Sequence, residues 1–473
     1  MESILEAIAQ SDKTKIALAD SSGEYTYGMY LNHIISIAEL LKCYGIRYND
    51  KVIIVSRQTE MFLATLHAIQ YLGAIPVPLE KNTTKEVIMD IKAFAEALFV
   101  ISSDSELANI SYEEISSLNL SDNIFEPTLN SIAEILFTTG TTGKSKGVVL
   151  SHSADIAVSE NIVYGIGKKA DDIELIPMPL NHSFALRRYF SDMLIGGTAV
   201  LCDGVINLKR FFGLIEKYSC NCIAMNPTAL EIIFKLSGKK LNEYAEQLKY
   251  VQLGSAHLSE ENKGRLAELL PKSRLYNMYG STEAGCSCVL EFSTANGKAN
   301  CIGHPTVNSK FSTVDENENI FTSDPENKGR LICSGAMCMT GYLNDPEATE
   351  ATLKSGFVHS NDLAYIDKNG EIYVFGRCDD VIVCSGNKIN PEDVEDAAKS
   401  SGLVEDCACV PYKDKKIGTV PKLIVVPKEG YSDKELNRFL TERLEYYMIP
   451  KKYEQRSEIP KTFNGKPLRR KLR

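Results

Sequence analysis

Apolar positions along the chain change period repeatedly. Leu31, Ile34, Ile35, Ala38 and Leu41 fall at i, i+3, i+4, i+7 and i+10, a stripe that predicts a helix capped by Thr26. A strand-like run, Val52–Val55, follows, then a helical pattern from Glu60 to Leu72 that stops at Gly73. Next comes a short strand, Ile75–Val77, that Pro78 is expected to end. The rhythm returns in β-rich runs at Ile173–Ile176, Thr198–Leu201, Cys222–Met225 and Leu275–Met278. Helices intervene, including Leu208–Lys217 and Ser259–Leu270. Such alternation over about the first 300 residues predicts a doubly wound α/β region.

From about Cys301 to Asp345 the text becomes short β segments rich in Gly, Asn, Asp and Ser, which predicts a small β subdomain. Near Gly376–Asp380 it changes again, to β-α-β-α-β text. Asn390-Pro391 is a sound helix start, because Asn caps and Pro tolerates the first helical position. Ser432-x-x-Glu435 is a capping box, followed by a face of Leu436, Phe439, Leu440 and Leu444. The expected architecture is α/β: a large N-terminal domain, 1–377, of doubly wound α/β subdomains with a small β subdomain at about 301–377. A small α+β C-terminal domain, 378–473, is joined to it by a hinge.

Composition narrows the class. The 473 residues are 44% hydrophobic, enough for large cores, and the net charge of −10 argues against nucleic acid or an anionic membrane as partner. No run approaches a membrane span of about 18–20 apolar residues. The start, with Glu2, Glu6 and Asp12, lacks the basic and apolar regions of a signal peptide, so a cytoplasmic location is expected. The 13 cysteines include no C-x-x-C, which removes the usual zinc spacing and leaves reduced thiols.

Candidate chemistry begins at Phe137-Thr-Thr-Gly-Thr-Thr-Gly-Lys-Ser-Lys-Gly147, between the β-rich runs Ile132–Phe137 and Val148–Leu150. Its hydroxyls and close-approaching glycine backbone suit an anion, and Lys144 and Lys146 add charge. A Walker A motif needs Gly where Thr138 stands, and a strand rather than a helix follows. The loop resembles the signature of the adenylate-forming superfamily of acyl-CoA synthetases, nonribosomal adenylation domains and luciferases. Further motifs follow in family order: Pro177-Met-Pro-Leu-Asn-His182, Gly254-Ser-Ala-His-Leu258, Tyr279-Gly-Ser-Thr-Glu283, Gly341-Tyr342, Phe357-x-x-Ser-Asn-Asp362, Gly376-Arg377-Cys-Asp-Asp380 and Pro460-Lys-Thr-x-Asn-Gly-Lys466.

The resemblance implies an enzyme that activates a carboxylic acid with ATP to an acyl-adenylate, releases pyrophosphate, and transfers the acyl group to a thiol. Positioned cations, a metal and backbone dipoles are what that chemistry asks for. By resemblance Thr138, Thr139, Gly140, Thr141, Thr142, Gly143 and Lys146 hold the β and γ phosphates, and Thr282 bonds the α-phosphate. Glu283 holds Mg²⁺, a hard cation suited to one carboxylate plus phosphate oxygens. Tyr279 offers its face to adenine opposite Ser255 and Ala256, Asp362 accepts the ribose hydroxyls, and Arg377 reaches ribose and phosphates. His182 stands between the acyl and ATP sites. Lys466, in a stretch 461–473 with six basic residues and no acid, bridges the acyl carboxylate, α-phosphate and ribose. The C-terminal domain turns about Asp379, so that Gly386, in Cys384-Ser-Gly386, leaves room for a pantetheine arm in the second step.

Departures from the family pattern are Ser145 for a common Pro, Asn361 for Gly, Phe357 for Trp and Val383 for a frequent Lys. The last puts a second-step role for that position in doubt. Ser183–Phe190 carries no acid before Asp192, and a buried unpaired ammonium is costly, so amino acids are disfavoured as substrates. The text is closest to acyl- and aryl-CoA ligases. Arg187 and Arg188 would point to a second polar group on the acid if either faced the pocket. CoA is the expected acceptor, arriving in trans. A ligase loading a carrier-protein phosphopantetheine is the alternative, and a luciferase-like oxygenase or an adenylate-binding regulator are the readings from other classes.

Overall fold

Thr26 accepts a hydrogen bond from the Met29 amide and caps the Tyr27–Cys43 helix, whose buried face holds Leu31, Ile34, Ile35, Ala38 and Leu41. The computed structural model describes residues 2–57, 59–104, 106–118, 125–138, 145–293, 298–384, 387–414, 418–461, 465 and 467–472. Thr139–Lys144 in the phosphate loop, Ser385–Gly386, and Lys466 itself lie outside the described residues.

A parallel four-stranded sheet runs in the order Ile75–Glu80, Lys51–Ser56, Phe99–Ser102, Ile110–Ser111. Pro78 does not end its strand as expected, because Ile75–Glu80 is the edge. Pro76 and Pro78 sit two residues apart, opposite Val52 and Ile54, so both missing N–H groups fall on the side with no neighbour.

The main sheet has fifteen strands among the described residues. Its parallel centre runs Arg274–Ser281, Tyr250–Gly254, Cys222–Met225, Ile173–Ile176, Thr198–Leu201, Ile16–Ala19. These strands all deliver their C-terminal ends to one edge, where ligands of open α/β sheets bind. The segment expected as a small β subdomain attached to the α/β body joins it through this sheet. Cys301–Pro305 pairs with Gly285–Glu291 on one side and with Ile372–Arg377 on the other. Gly303 (φ +86°) permits that junction, since a Cβ there would lie 1.9 Å from the Val289 carbonyl oxygen.

Beyond residue 381 a second unit has its own cores. Val404–Asp414 and Gly418–Pro427 pair antiparallel, and Lys452–Gln455 adds in parallel. The Pro391–Ser400 and Asp433–Thr441 helices pack Val394, Ala398, Leu436 and Leu440 against Cys407, Cys409, Leu423 and Val425. Asn390 and Ser432 cap these helices as expected, although Leu444 falls just past the second one. All 13 cysteines are free thiols. No helix among the described residues is long and apolar enough to cross a membrane.

Candidate active site

Ile132–Thr138 and Lys146–Ser151 form an antiparallel hairpin in which Phe137 faces Gly147 and Thr138 faces Lys146. The phosphate loop is therefore a strand-to-strand turn, not the strand-to-helix turn of a Walker motif. Gly341-Tyr342 pairs with Val149 and Val148 on the hairpin's open side. Lys146 Nζ then sits 4.6 Å from the centre of the Tyr342 ring. The Tyr342 hydroxyl donates to Glu283 Oε1 at 2.8 Å.

Glu283 itself stands at the tip of a tight hairpin between Arg274–Ser281 and Gly285–Glu291, where Ser281 faces Gly285. Thr282 and Glu283 thus do not start a helix, the ordinary local meaning of Thr-Glu. The hairpin closes so tightly that a Cβ on Gly280 would lie 2.0 Å from the Gly285 carbonyl oxygen. The Met339 amide donates to the Glu283 carbonyl at 2.8 Å and fixes the tip from outside. Lys146, Tyr342 and Glu283 form one continuous polar line from the phosphate loop to the carboxylate expected to hold a metal. Burial, then the charge of Glu283, holds the Tyr342 phenol protonated far above its ordinary range.

Four residues earlier on the same strand, the Tyr279 hydroxyl donates to Asp362. The aromatic residue expected to meet adenine and the carboxylate expected to accept the ribose hydroxyls are thereby one unit. Burial and Asp362 push the phenol well above its ordinary value. Asp362 faces Arg377 across neighbouring strands, and Arg377 Nε donates to Asp379 at 3.1 Å. Burial disfavours the Arg377 cation, but Asp379, Asp362 and Asp380 more than offset it.

Gly254 ends its strand where a Cβ would lie 2.7 Å from the Phe184 ring and 2.9 Å from the Met278 carbonyl oxygen. The adenine-side loop is thus pressed against both the Tyr279 strand and the helix that follows His182. Ser255 then takes a left-handed backbone (φ +74°), a strained conformation for a non-glycine residue. His182 is the N-cap residue of the Ser183–Leu194 helix, and burial lowers its imidazole to about 4, so the ring is neutral near pH 7. A neutral imidazole suits a group that must lie between anions without being fixed by them.

Lys466 lies outside the described residues, and the residue before it is described. Gly465 (φ +82°) approaches Thr228 so closely that a Cβ would lie 2.1 Å from Thr228 Oγ1. Thr228 is the second residue of the Pro227–Ser237 helix, which Asn226 caps at the C-terminal end of the Cys222–Met225 strand. Within the basic stretch, the described residues Leu468 and Arg469 are anchored. Arg469 is buried, donates to both Glu395 oxygens at 2.9 Å, and reaches Asp380 at 3.3 Å. Leu468 N–H donates to the Pro460 carbonyl at 2.8 Å, which closes the lysine loop at its base.

Arg187 and Arg188 do not face an acyl pocket. Arg187 pairs with Glu134 at 2.6 Å and Asp155 at 3.0 Å, and Arg188 pairs with Glu174. Lys168 lies 2.8 Å from Glu174 and 2.7 Å from Asp192, and this whole cluster is buried. Burial opposes the Glu174 charge, but Arg188 and Lys168 hold its carboxyl at about 2.

Sequence reading missed Thr228, Tyr342 and Arg469 as parts of the site. Thr228 had a usable signal, a helix start at the end of a buried strand. The other two act through partners 59 or more residues away, which no local pattern reveals.

A family model described as AMP-binding enzyme matches residues 5–343, and one described as AMP-binding enzyme C-terminal domain matches 393–466. The chain belongs to the AMP-binding enzyme family. Within it the chain is an adenylate-forming enzyme of the acyl-CoA ligase class. It is 26% identical to a 2-succinylbenzoate–CoA ligase of Bacillus cereus, over 99% of this chain and 96% of that one. It is 27% identical to 4-coumarate–CoA ligase 3 of Arabidopsis thaliana, over 98% and 88%. In fold it matches o-succinylbenzoate CoA synthetase of Bacillus subtilis bound to its acyl-adenylate, at TM-score 0.91 and 24% identity, covering 100% of this chain and 98% of that one. The same enzyme with ATP and a magnesium ion matches at TM-score 0.90 and 23% identity, covering 100% and 99%.

Proposed function

We propose that this enzyme activates an aromatic carboxylic acid with ATP and magnesium and passes the acyl group to the thiol of CoA. One observation carries the reading: Lys146, Tyr342 and Glu283 stand in line, with the Thr228–Gly465 contact bringing the lysine loop to the same sheet edge. An acid oxygen attacks the α-phosphorus, and pyrophosphate leaves. The thiol then attacks the acyl carbon, loses its proton, and AMP leaves.

In this reading Lys146, with the Thr138–Gly143 stretch, holds the β and γ phosphates, and Thr282 holds the α-phosphate. The Glu283 carboxylate, oriented by Tyr342, is the hard oxygen donor a magnesium ion requires, and such an ion neutralises charge on the departing pyrophosphate. Tyr279 and Asp362 hold adenosine as a unit, with Ser255 and Ala256 on the opposite wall and Arg377 at the rim. Neutral His182 lies beside the acid, and Lys466 meets the charge that develops between acid and phosphate. We place the domain boundary at 377/378, the C-terminal unit turning about Asp379 to bring Gly386 to the thiol, and the enzyme in the cytoplasm. Aromatic acids are favoured over amino acids because Asp192, the first acid after His182, is buried against Lys168 and cannot receive a substrate ammonium.

ATP–pyrophosphate exchange with 2-succinylbenzoate, 4-coumarate, fatty acids and amino acids tests this. The expected result is exchange with an aryl acid, then thioester formation on adding CoA. Exchange with no acid at all overturns the enzyme assignment, and transfer only to a carrier protein overturns the acceptor.

A further inference from the structure

His257 belongs to the Gly254–Leu258 loop, beside the residues expected to meet adenine, yet its imidazole turns away from them. Nε2 lies 2.9 Å from Asp396 Oδ2, and Nδ1 faces Glu392 Oε2 at 3.5 Å. Glu392 and Asp396 are four residues apart on the Pro391–Ser400 helix, so both carboxylates occupy one helical face. That helix belongs to the C-terminal unit, while His257 belongs to the main sheet's edge. Away from the connecting segment, where Arg377 pairs with Asp379 and Arg469 with Asp380, Lys235–Glu405 also joins the two units but is solvated at both ends and holds little.

An imidazole with a carboxylate at each nitrogen is satisfied only when both nitrogens carry protons. We infer that His257 is a positioning residue whose imidazolium clamps the C-terminal domain in the orientation that brings the lysine loop to Thr228. The inference rests on the proposed two-step reaction, in which the domain must leave this orientation for the second step.

The groups facing the ring are Asp396, Glu392 and Asp393 from the Pro391–Ser400 helix, and Lys263 from the Glu260–Leu269 helix, itself tied to Glu260 at 2.6 Å. Burial pulls the imidazole down, but the bond to Asp396 and the charges of Glu392 and Asp396 bring it up to about 9. Burial brings Asp393 up to about 6, so it too is mostly ionised above neutrality. A histidine freed from these partners titrates near its ordinary value of about 6.5. Docking therefore takes up a proton across the interval between those values. The clamp is fully engaged below about 6.5 and is lost as pH rises through about 9.

Two measurements on the full chain test this. The first is an NMR titration with isotope-labelled histidine, for which the chain's seven histidines give few signals. His257 should titrate near 9, and near 6.5 in the Glu392→Gln, Asp396→Asn double variant. An ordinary value in the parent overturns the clamp whatever the enzyme's substrate is. The second uses 2-succinylbenzoate and 4-coumarate as acids. His257→Gln should lower pyrophosphate exchange roughly 10- to 100-fold, the scale of one charge-assisted hydrogen bond, and spare CoA thioester formation from supplied acyl-adenylate. His257→Lys, a cation at every working pH, should restore exchange and flatten its decline between pH 7 and 9. Equal loss of both half-reactions, or no rescue by Lys, means the ring merely supports the loop. Exchange with neither acid removes the proposed substrate class, and the titration still decides the clamp.

Discussion

The Tyr342 hydroxyl donates its hydrogen bond to the Glu283 carboxylate at 2.8 Å while its ring carries the Lys146 ammonium. One aromatic residue therefore sets the spacing between a phosphate-side cation and a metal-side carboxylate. Tyr342→Phe keeps the ring and removes the bond. A hydrogen bond to a charged group contributes about 1.5–3 kcal/mol, so the magnesium concentration for half-maximal exchange should rise roughly 10- to 100-fold. Glu283→Gln should lose more, and a magnesium titration unchanged in either variant would remove the assignment.

Arg187→Leu and Arg188→Leu should leave the ranking of acids unaltered and weaken the fold instead. Arg187→Leu strands Glu134 and Asp155, a change of about 3–5 kcal/mol, and Arg188→Leu, which leaves Glu174 with Lys168, should cost less. Thermal unfolding and an acid panel read the two effects separately. A shifted acid preference with an unchanged melting temperature contradicts the buried pairing.

The two half-reactions should separate by residue. Lys466→Ala removes a cation that meets developing charge and should slow acyl-adenylate formation roughly 10²–10³-fold, leaving thioester formation from supplied acyl-adenylate nearly intact. Gly386→Leu should do the reverse. Arg469→Met should resemble Lys466→Ala in kind, because it frees the base of the lysine loop, but should also lower stability by stranding Glu395. Single-turnover assays of each step distinguish these patterns.

Acid should destabilise the protein through histidines kept neutral by burial. His182 titrates at about 4 and His67 at about 3, both below the ordinary value. A lowered histidine contributes stability that is present above about 6.5 and lost as pH falls toward its folded value. Unfolding free energy should fall between pH 6.5 and 4 by up to about 1.4 kcal/mol per pH unit for each such ring. His182→Gln should reduce that slope by one proton. A slope equal to the parent's would mean that His182 is not held neutral by the fold.

Elements that depend on neighbours in sequence were legible. Thr26, Asn390 and Ser432 announced helix starts because a cap acts within three residues. The phosphate hairpin was legible because a strand, not a helix, followed its glycines. What remained hidden depended on distant partners. Whether the arginine pair faced solvent or the pocket was not legible, because Glu134, Asp155 and Glu174 lie elsewhere in the chain. Pro78 looked like a strand end because sequence does not say which strand is an edge. How the β segments after Cys301 attach to the α/β body was not legible, because that junction depends on one close approach, at Gly303.

The main sheet also sets a timetable for biosynthesis. Ile16–Ala19 adds to the sheet beside Thr198–Leu201, and the Thr198 hydroxyl donates to the Ile16 carbonyl across 182 positions of chain. At about 5–20 residues per second, the first strand waits roughly 10–35 s on the ribosome before its parallel neighbour exists. During that interval Ala17, Leu18 and Ala19, all fully buried in the finished enzyme, have the Glu24–Thr26 arm and the following Tyr27–Cys43 helix to cover them, but not their parallel neighbour. The sheet therefore cannot close around its first strand until residue 201 is made, and refolding from denaturant should lag behind formation of the local C-terminal β-hairpin.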